Sequence, residues 1–546
     1  MSGHLRALLP SPRDYAGLRT SWRGDLVAGL TVGVVALPLA LAFGVSSGAG
    51  AEAGLVTAVV AGLVAAVFGG SNVQVSGPTG AMVVVLGPIV AGRGVGALGV
   101  VCLLAGVLVV LAGVLRLGRT VGLIPWPVIE GFTVGIAVII FLQQVPAALG
   151  VAAAGHDANA AVAAGQVLGE VRWPDAAWSL ATAAVAAVML LAPRVHRALP
   201  GSIVAIVVVT VVAVVADLPL AAIGELPAGL PAPELPGLDL ASVRELAVPA
   251  VTVAALAAIE SLLSARVAAA HSDTGPYDGD RELVGQGLAT IAAGVLGGMP
   301  ATGAIARTAV NVRSGARTRL AAIVHAVFLL LVVVAAGGVV GRIPLAALAG
   351  VLMVTAARMV SPRVVRSVVT ATRAAAVLFA LTAVITVSVD LIYAVGIGIA
   401  AAAVISLRSL ARAAGVHREE LPGPAQAGDT HIALFRIEGS LFFAAAERVL
   451  ERVAVIQDVD VVVLRLSHVQ VLDAMGAQVL QELVTGLERR GVTVLVKGIR
   501  HEHLALARRI GVIDALRDEA HLVDDLPSAV ARARAIVREG GGIPVR

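Results

Sequence analysis

From residue 24 to residue 410 the chain is a succession of apolar runs, most of them 17 to 25 residues long, separated by short loops rich in Gly, Pro and Arg. A helix needs about 20 apolar residues to cross a ~30 Å hydrocarbon core, and in lipid a helix satisfies its own backbone hydrogen bonds. The runs therefore predict an α-helical polytopic membrane protein. About fourteen segments can be marked, at 24–44, 51–69, 78–92, 96–115, 127–149, 174–192, 201–217, 246–270, 282–298, 304–315, 318–339, 343–361, 374–390 and 391–410. Composition points the same way: 58% of residues are hydrophobic and 14% charged, against roughly 45–50% and 25% in soluble domains, and mean hydropathy is +0.93.

Charge tests the count. With the N-terminus inside, alternation puts Arg116, Arg119, Arg194, Arg197, Arg266, Arg281, Arg313, Arg317, Arg319, Arg358, Arg363, Arg366, Arg373, Arg408 and Arg412 on the cytoplasmic side, and Arg93, Arg172, Arg244 and Arg342 on the other. This bias predicts a multi-pass protein of the cell (inner) membrane with a retained cytoplasmic N-terminal segment, 1–23, and a cytoplasmic C-terminal region. It also accounts for the net charge of +4 without nucleic acid as a partner. Trp22, Trp126, Trp173 and Trp178 fall at span ends, where an amphipathic ring suits the headgroup region. Cys102, the single cysteine, sits inside an apolar run and reads as a small core residue. No metal cluster or nucleophile–base constellation stands out, so neither a cofactor nor an enzyme is expected.

After a transmembrane domain, 24–411, and a linker, 412–429, residues 430–546 change character, with dense Arg, Glu and Asp. Residues 432–437, 459–466 and 493–496 read as strands, and 477–490 and 503–509 as helices, which predicts a small α/β domain.

Two apolar segments are too short to span as ordinary helices, and each follows a Gly/Pro-rich stretch: Gly69-Gly70-Ser71-Asn72-Val73-Gln74-Val75-Ser76-Gly77-Pro78-Thr79-Gly80, and Gly297-Gly298-Met299-Pro300-Ala301-Thr302-Gly303-Ala304. They are third and tenth in order, corresponding positions in two seven-span halves, as in an inverted repeat. Extended backbone leading into a half-helix leaves free N–H groups and a positive dipole end within the membrane. Two such ends facing one another make an anion site; the alternative is that Gly and Pro only permit tight helix packing.

At these residues the chain resembles the sulfate permease (SulP) family of anion transporters, also called solute carrier family 26. The likeness rests on Asp25-Leu26-Val27-Ala28-Gly29-Leu30-Thr31, Gly77-Pro78-Thr79-Gly80, Ala258-Ile259-Glu260-Ser261-Leu262-Leu263-Ser264, Gly297-Gly298-Met299-Pro300, Arg307-Thr308-Ala309-Val310-Asn311-Val312 and the C-terminal domain. It implies a core domain of spans 1–4 and 8–11 sliding past a gate domain of spans 5–7 and 12–14, and a homodimer in the lipid bilayer. It also implies an anion pocket at Thr79 and Gly80 on one side and Ala304, Ile305, Ala306 and Arg307 on the other, completed by Leu39 and Phe43. Many members carry Glu or Gln directly after the first-span proline, where this chain reads Pro38-Leu39-Ala40. Sodium-coupled bicarbonate members carry Asp and Thr where this chain has Glu260 and Ser264, and a hydroxyl where it has Ile305. Coupling to H+ or Na+ is thus left open, with Glu260 and Ser264 as the coupling candidates.

A mid-span carboxylate is costly unless paired, hydrated or protonated, so Glu260 is functional by default; its alternative is a structural partner for Arg307 or for backbone amides. Arg307 reads as a site cation or as a side chain snorkelling to the cytoplasm. His325 reads as a satisfied core histidine. The C-terminal domain resembles the STAS domain of SulP transporters and anti-sigma-factor antagonists, but Asp473-Ala474-Met475-Gly476 lacks the hydroxyl that the antagonists phosphorylate. A scaffold or dimer-contact role then follows, with Asp473 as a helix N-cap. The function expected is secondary active transport of a small inorganic anion by an elevator-like motion, bicarbonate or sulfate favoured. A dicarboxylate such as fumarate and a channel-like anion-binding protein are the alternatives.

Overall fold

The computed structural model describes residues 6–15, 17–119, 125–151, 162, 164–165, 176–195, 200–226, 229–237, 239–388, 391–413, 415–441 and 458–540; Arg172, Trp173 and Arg197 lie outside them. The chain forms two compact units, Met1–Ile399 and Ala400–Arg546.

Each of the fourteen apolar segments falls on a helix: α1 Leu18–Ser46, α2 Ala51–Phe68, α3 Gly80–Arg93, α4 Ala97–Val114, α5 Trp126–Gln143, α6 Ala176–Val195, α7 Gly201–Val215, α8 Leu240–His271, α9 Gly279–Val295, α10 Ile305–Arg313, α11 Leu320–Val340, α12 Leu345–Met359, α13 Arg373–Ser388 and α14 Leu391–Ala413. Among the described residues, seven helical stretches are long and apolar enough to cross a bilayer, and α3, α7 and α13 are among the shorter apolar helices. At 1.5 Å per residue, the 14 residues of α3 and 9 of α10 reach only part of the way. An amphipathic helix, Pro362–Ala371, links α12 to α13.

The helices pack in two groups. α1–α4 contact α8–α11, and α5–α7 contact α12 and α13; α1 against α7 and α12, and α3 against α5, join the groups. Within the first group α4 and α9 pack through glycines. A Cβ on Gly287 would lie 2.6 Å from the Gly106 carbonyl and 2.7 Å from the Val110 amide, and one on Gly106 would lie 2.7 Å from the Gly287 carbonyl. Cys102, fully buried, fits the same seam. Small residues let backbones approach where lipid supplies no hydrophobic drive between helices. Gly287→Ala is therefore expected to cost about 1–3 kcal/mol, the usual range for overpacking, seen as a lower thermal midpoint in detergent; an unchanged midpoint would mean that the seam has slack.

Buried polar groups tie loops to this group. Asp25 accepts from the amides of Arg317 (2.7 Å) and Thr318 (3.0 Å) and from the Thr318 hydroxyl (2.7 Å), pinning the start of α11 to α1. Arg281, on the first turn of α9, donates from Nη1 and Nη2 to the two carboxylate oxygens of Asp14 at 3.0 and 2.8 Å. Burial pushes the Asp14 carboxyl up, but hydrogen bonds from Arg281 and the Ser11 amide and the Arg281 charge outweigh it and hold the pKa at about 2. Since that lies below the ordinary 3.8, the attachment is at full strength above about pH 4 and is lost as pH falls toward 2. Asp14→Asn should speed amide hydrogen exchange of residues 6–15 at neutral pH; unaltered exchange would show that other contacts hold the segment.

The second unit carries a five-stranded sheet of order β3-β4-β5-β6-β7: β3 Gly415–Glu419, β4 Ile432–Leu441, β5 Val461–Leu472, β6 Thr493–Lys497 and β7 Leu522–Val523. β3 is antiparallel to β4 and the other pairs are parallel. The stretch read as linker, 412–429, thus holds an edge strand. Ala433, Phe435 and Ile437 face the core that also contains Leu480, Leu483 and Leu487 of α15, Ala474–Arg489, and Ala507 of α16, His501–Ile510. Ile432 and Leu434 face Ala529 and Ala533 of α17, Leu526–Gly540. Covering both faces explains the near-continuous apolar strands. Asp473 caps α15, its side chain accepting from the Gly476 amide at 2.7 Å.

Candidate functional site

The two Gly/Pro stretches meet. β1, Ser76–Gly77, pairs antiparallel with β2, Thr302–Gly303, with Ser76 opposite Gly303 and Gly77 opposite Thr302. Each strand leads within a few residues into a half-helix, so the N-termini of α3 and α10 are held on either side of one short ribbon. Neither N-cap residue, Thr79 or Ala304, caps its helix through its side chain. The first-turn amides are thereby left to a ligand or solvent.

Glu260, on α8, reaches this junction. Its Oε2 accepts from the Thr79 hydroxyl at 2.9 Å and the Thr302 hydroxyl at 2.8 Å, and the two hydroxyls are 3.2 Å apart. One carboxylate oxygen thus bridges both broken segments. Ser261, beside it, accepts from the Gly303 amide at 2.9 Å. Ser264, one turn further along α8, is fully buried and bonded to the Thr308 hydroxyl at 3.1 Å, which in turn accepts from the Val75 amide.

Arg307 lies at the third position of α10 and is 2% exposed. That overturns the snorkelling reading: its Nη2 donates inward to the Pro78 carbonyl at 2.7 Å. It makes no ion pair with Glu260 within 4 Å, and the hydrogen bonds to the Glu260 carboxylate come from Thr79 and Thr302 instead. Nη1 has no hydrogen-bond partner among the described residues and lies 2.8 Å from where a Gly77 Cβ would sit, with Gly77 at φ 150°. Glycine is what lets the guanidinium fit against β1. Phe43 is close to the α3 end: a Cβ on Gly80 would be 3.4 Å from Phe43 Cε1 and would collide with Ile140 of α5. Leu39 and Phe43 are buried in the main apolar core, Ile305 is half-buried and Ala306 is exposed. His325 is fully buried on α11, and neither ring nitrogen has a partner among the described residues, so it is not the satisfied core histidine that the sequence suggested.

Thr302 and Ile140 were not anticipated as site residues. Thr302 sits in a Gly/Pro stretch with no spacing to mark it, and Ile140 is one apolar residue in an apolar run. The single available signal was the reciprocity of the two stretches: once Thr79 is placed at one, Thr302 is the hydroxyl at the other.

Two broken segments paired strand to strand inside an apolar helical domain, followed by an α/β domain, have the architecture of a transporter. Residues 22–382 match the sulfate permease family and residues 424–529 the STAS domain; the chain belongs to the sulfate permease family. It is 35% identical to the "Putative sulfate transporter YvdB" of Bacillus subtilis, over 89% of this chain and 93% of that one. It is 31% identical to the bicarbonate transporter BicA of Picosynechococcus, over 85% and 86%. Its fold matches that of the murine solute carrier 26 family member A9 anion transporter with a TM-score of 0.85, covering 98% of this chain and 95% of that one at 15% identity.

Proposed function

We propose that this protein moves a small inorganic anion, bicarbonate or sulfate, across the cell membrane as a secondary active transporter. The supporting observation is the α3–α10 junction, where two uncapped helix N-termini and the unpartnered Nη1 of buried Arg307 converge beside Glu260. The anion binds there, near Thr79, Gly80, Ala304, Ile305, Ala306 and Arg307, with Leu39 and Phe43 closing the pocket. With Glu260 ionised, its charge offsets that of Arg307, so the empty pocket is close to neutral and a monovalent anion is preferred to a dianion; bicarbonate fits better than sulfate. The group of α1–α4 and α8–α11 carries the site past the group of α5–α7 and α12–α14 in an elevator-like motion. Coupling runs through Glu260, with Ser264 supporting it. The arginine bias places the N-terminal segment and the STAS domain in the cytoplasm, and the chain works as a homodimer. Uptake of bicarbonate, sulfate, chloride and fumarate into proteoliposomes, under imposed proton and sodium gradients, tests this. Saturable bicarbonate uptake driven by one gradient is expected; fumarate as the best substrate, or a leak that no gradient concentrates, would replace the reading with a dicarboxylate carrier or a channel.

A further inference from the structure

A cleft of about 850 Å³ opens at the loop ends of α4, α8 and α9, beside the N-terminal segment, and shares no lining residue with the α3–α10 junction. Its walls carry Arg116 and Arg119 from the turn after α4, Arg266 from α8, Tyr277 from the α8–α9 loop, and Leu8. The neighbouring Arg281 is held by Asp14, whereas none of these three arginines makes an ion pair or a side-chain hydrogen bond among the described residues. The two carboxylates in the cleft are already engaged. Asp278 accepts from the amides of Asp280 (3.0 Å) and Arg281 (3.1 Å), and Asp280 Oδ1 accepts from the Gly118 amide at 2.9 Å. Three arginines against two such carboxylates leave the walls net positive.

Arg116 adds a local oddity. It follows α4 with φ 64°, the left-handed conformation that Gly or Asn adopts more cheaply at a helix end. Arginines kept only for membrane orientation need not converge on one concavity, nor occupy a backbone position that disfavours them. Guanidinium groups present paired donors matched to the oxygens of a phosphate, the volume is that of a small-ligand site, and the Tyr277 hydroxyl adds a neutral donor.

We propose that this cleft binds a phosphate group, carried by an anionic phospholipid headgroup or by a soluble phosphate compound, through Arg116, Arg119 and Arg266. Bound there, the ligand bridges the turn after α4 to the end of α8, beside the segment that Asp14 fastens to α9. The test uses full-length protein in a neutral detergent. It is titrated with dioleoylphosphatidylglycerol or dioleoylphosphatidylcholine, counted by native mass spectrometry, and with inorganic phosphate, followed by calorimetry. Expected is a preference for phosphatidylglycerol over phosphatidylcholine, phosphate binding, or both. In either case the combined variant Arg116→Gln, Arg119→Gln, Arg266→Gln should lose tenfold or more in affinity, and Arg363→Gln with Arg366→Gln, on the separate amphipathic helix, should lose none. Phosphatidylglycerol alone identifies a lipid as the source, and competition by phosphate a soluble compound. Arg119→Glu, a single change at an exposed position, guards against a misfolded triple variant and should weaken the same binding, with the thermal midpoint confirming its fold. Neither ligand binding, or binding that survives both cleft variants or is lost in Arg307→Ala instead, overturns the proposal. The readout is binding, so it stands apart from whether the chain transports bicarbonate.

Discussion

Replacing Arg307 with alanine is expected to weaken anion binding about thirtyfold or more. At an effective dielectric near 20, a unit charge about 4 Å from a bound anion contributes roughly 4 kcal/mol before desolvation is subtracted, and truncating a buried, hydrogen-bonded charge typically costs about 2–5 kcal/mol. The lower end of that range is already about thirtyfold in affinity. Arg307 meets the conditions, being 2% exposed with Nη2 on the Pro78 carbonyl and Nη1 unpartnered among the described residues. Removing it takes away the site's cation and also frees the carbonyl that positions the start of α3. Arg307→Lys should recover part of the loss, because an ammonium keeps the charge but cannot serve Pro78 and the ligand with a fixed fork. Gly77→Ala should reproduce much of it without touching the charge, since its Cβ would fall 2.8 Å from Nη1 and push the guanidinium aside. Calorimetry with bicarbonate on folded variants measures all three. An affinity unchanged in Arg307→Ala would leave the two helix ends as the anion-binding device.

The membrane domain was legible in the sequence because hydropathy is read one segment at a time: α1 to α14 each sit on one of the marked apolar segments, although α3 and α10 are too short to cross the bilayer by themselves. What hydropathy cannot give is the partner of a polar group. The pairing of β1 with β2 involves two residues on each side, too few for any alternation to register, yet it is what brings Thr79 and Thr302 to one carboxylate oxygen. The fate of Arg307 depended on the same pairing, because a guanidinium at the third position of a helix points to the cytoplasm or to Pro78 according to where the other segment lies. In the C-terminal domain, β4 and β5 announced themselves as apolar runs. β3, Gly-Val-His-Arg-Glu, did not: an edge strand with one buried position of five has nothing apolar to repeat. α17 was missed for a related reason, since its buried stripe is built on alanines, Ala529 and Ala533, among arginines.

Glu260→Gln is expected to abolish gradient-driven accumulation while leaving anion exchange in place. With Glu260 ionised, the proposed loaded site holds one guanidinium, one carboxylate and one monovalent anion, a net charge of −1, and moving an unbalanced charge across the membrane costs about 2.3 kcal/mol for every 100 mV besides its desolvation. A proton or a sodium ion taken up at the carboxylate brings the loaded site to neutrality, so passage of the anion becomes conditional on the cation, which is what coupling means physically. Glutamine keeps the shape and can still accept from Thr79 and Thr302, the two hydroxyls at 2.9 and 2.8 Å, so the junction should remain assembled. It removes the charge, however, and Arg307 with a monovalent anion is then neutral without any cation. The variant should therefore exchange labelled for unlabelled bicarbonate at a rate within a fewfold of the parent. Its accumulation ratio under an imposed gradient should fall toward unity, and its pH or sodium dependence should flatten. Thr302→Val separates charge from geometry: it deletes one hydrogen bond to the carboxylate but keeps the carboxylate, so it should shift the cation dependence without erasing it. Proteoliposomes assayed in parallel for counterflow and for gradient-driven uptake give both readings. If Glu260→Gln still concentrates bicarbonate, the carboxylate fastens α8 to the two broken segments, and the coupling ion binds elsewhere.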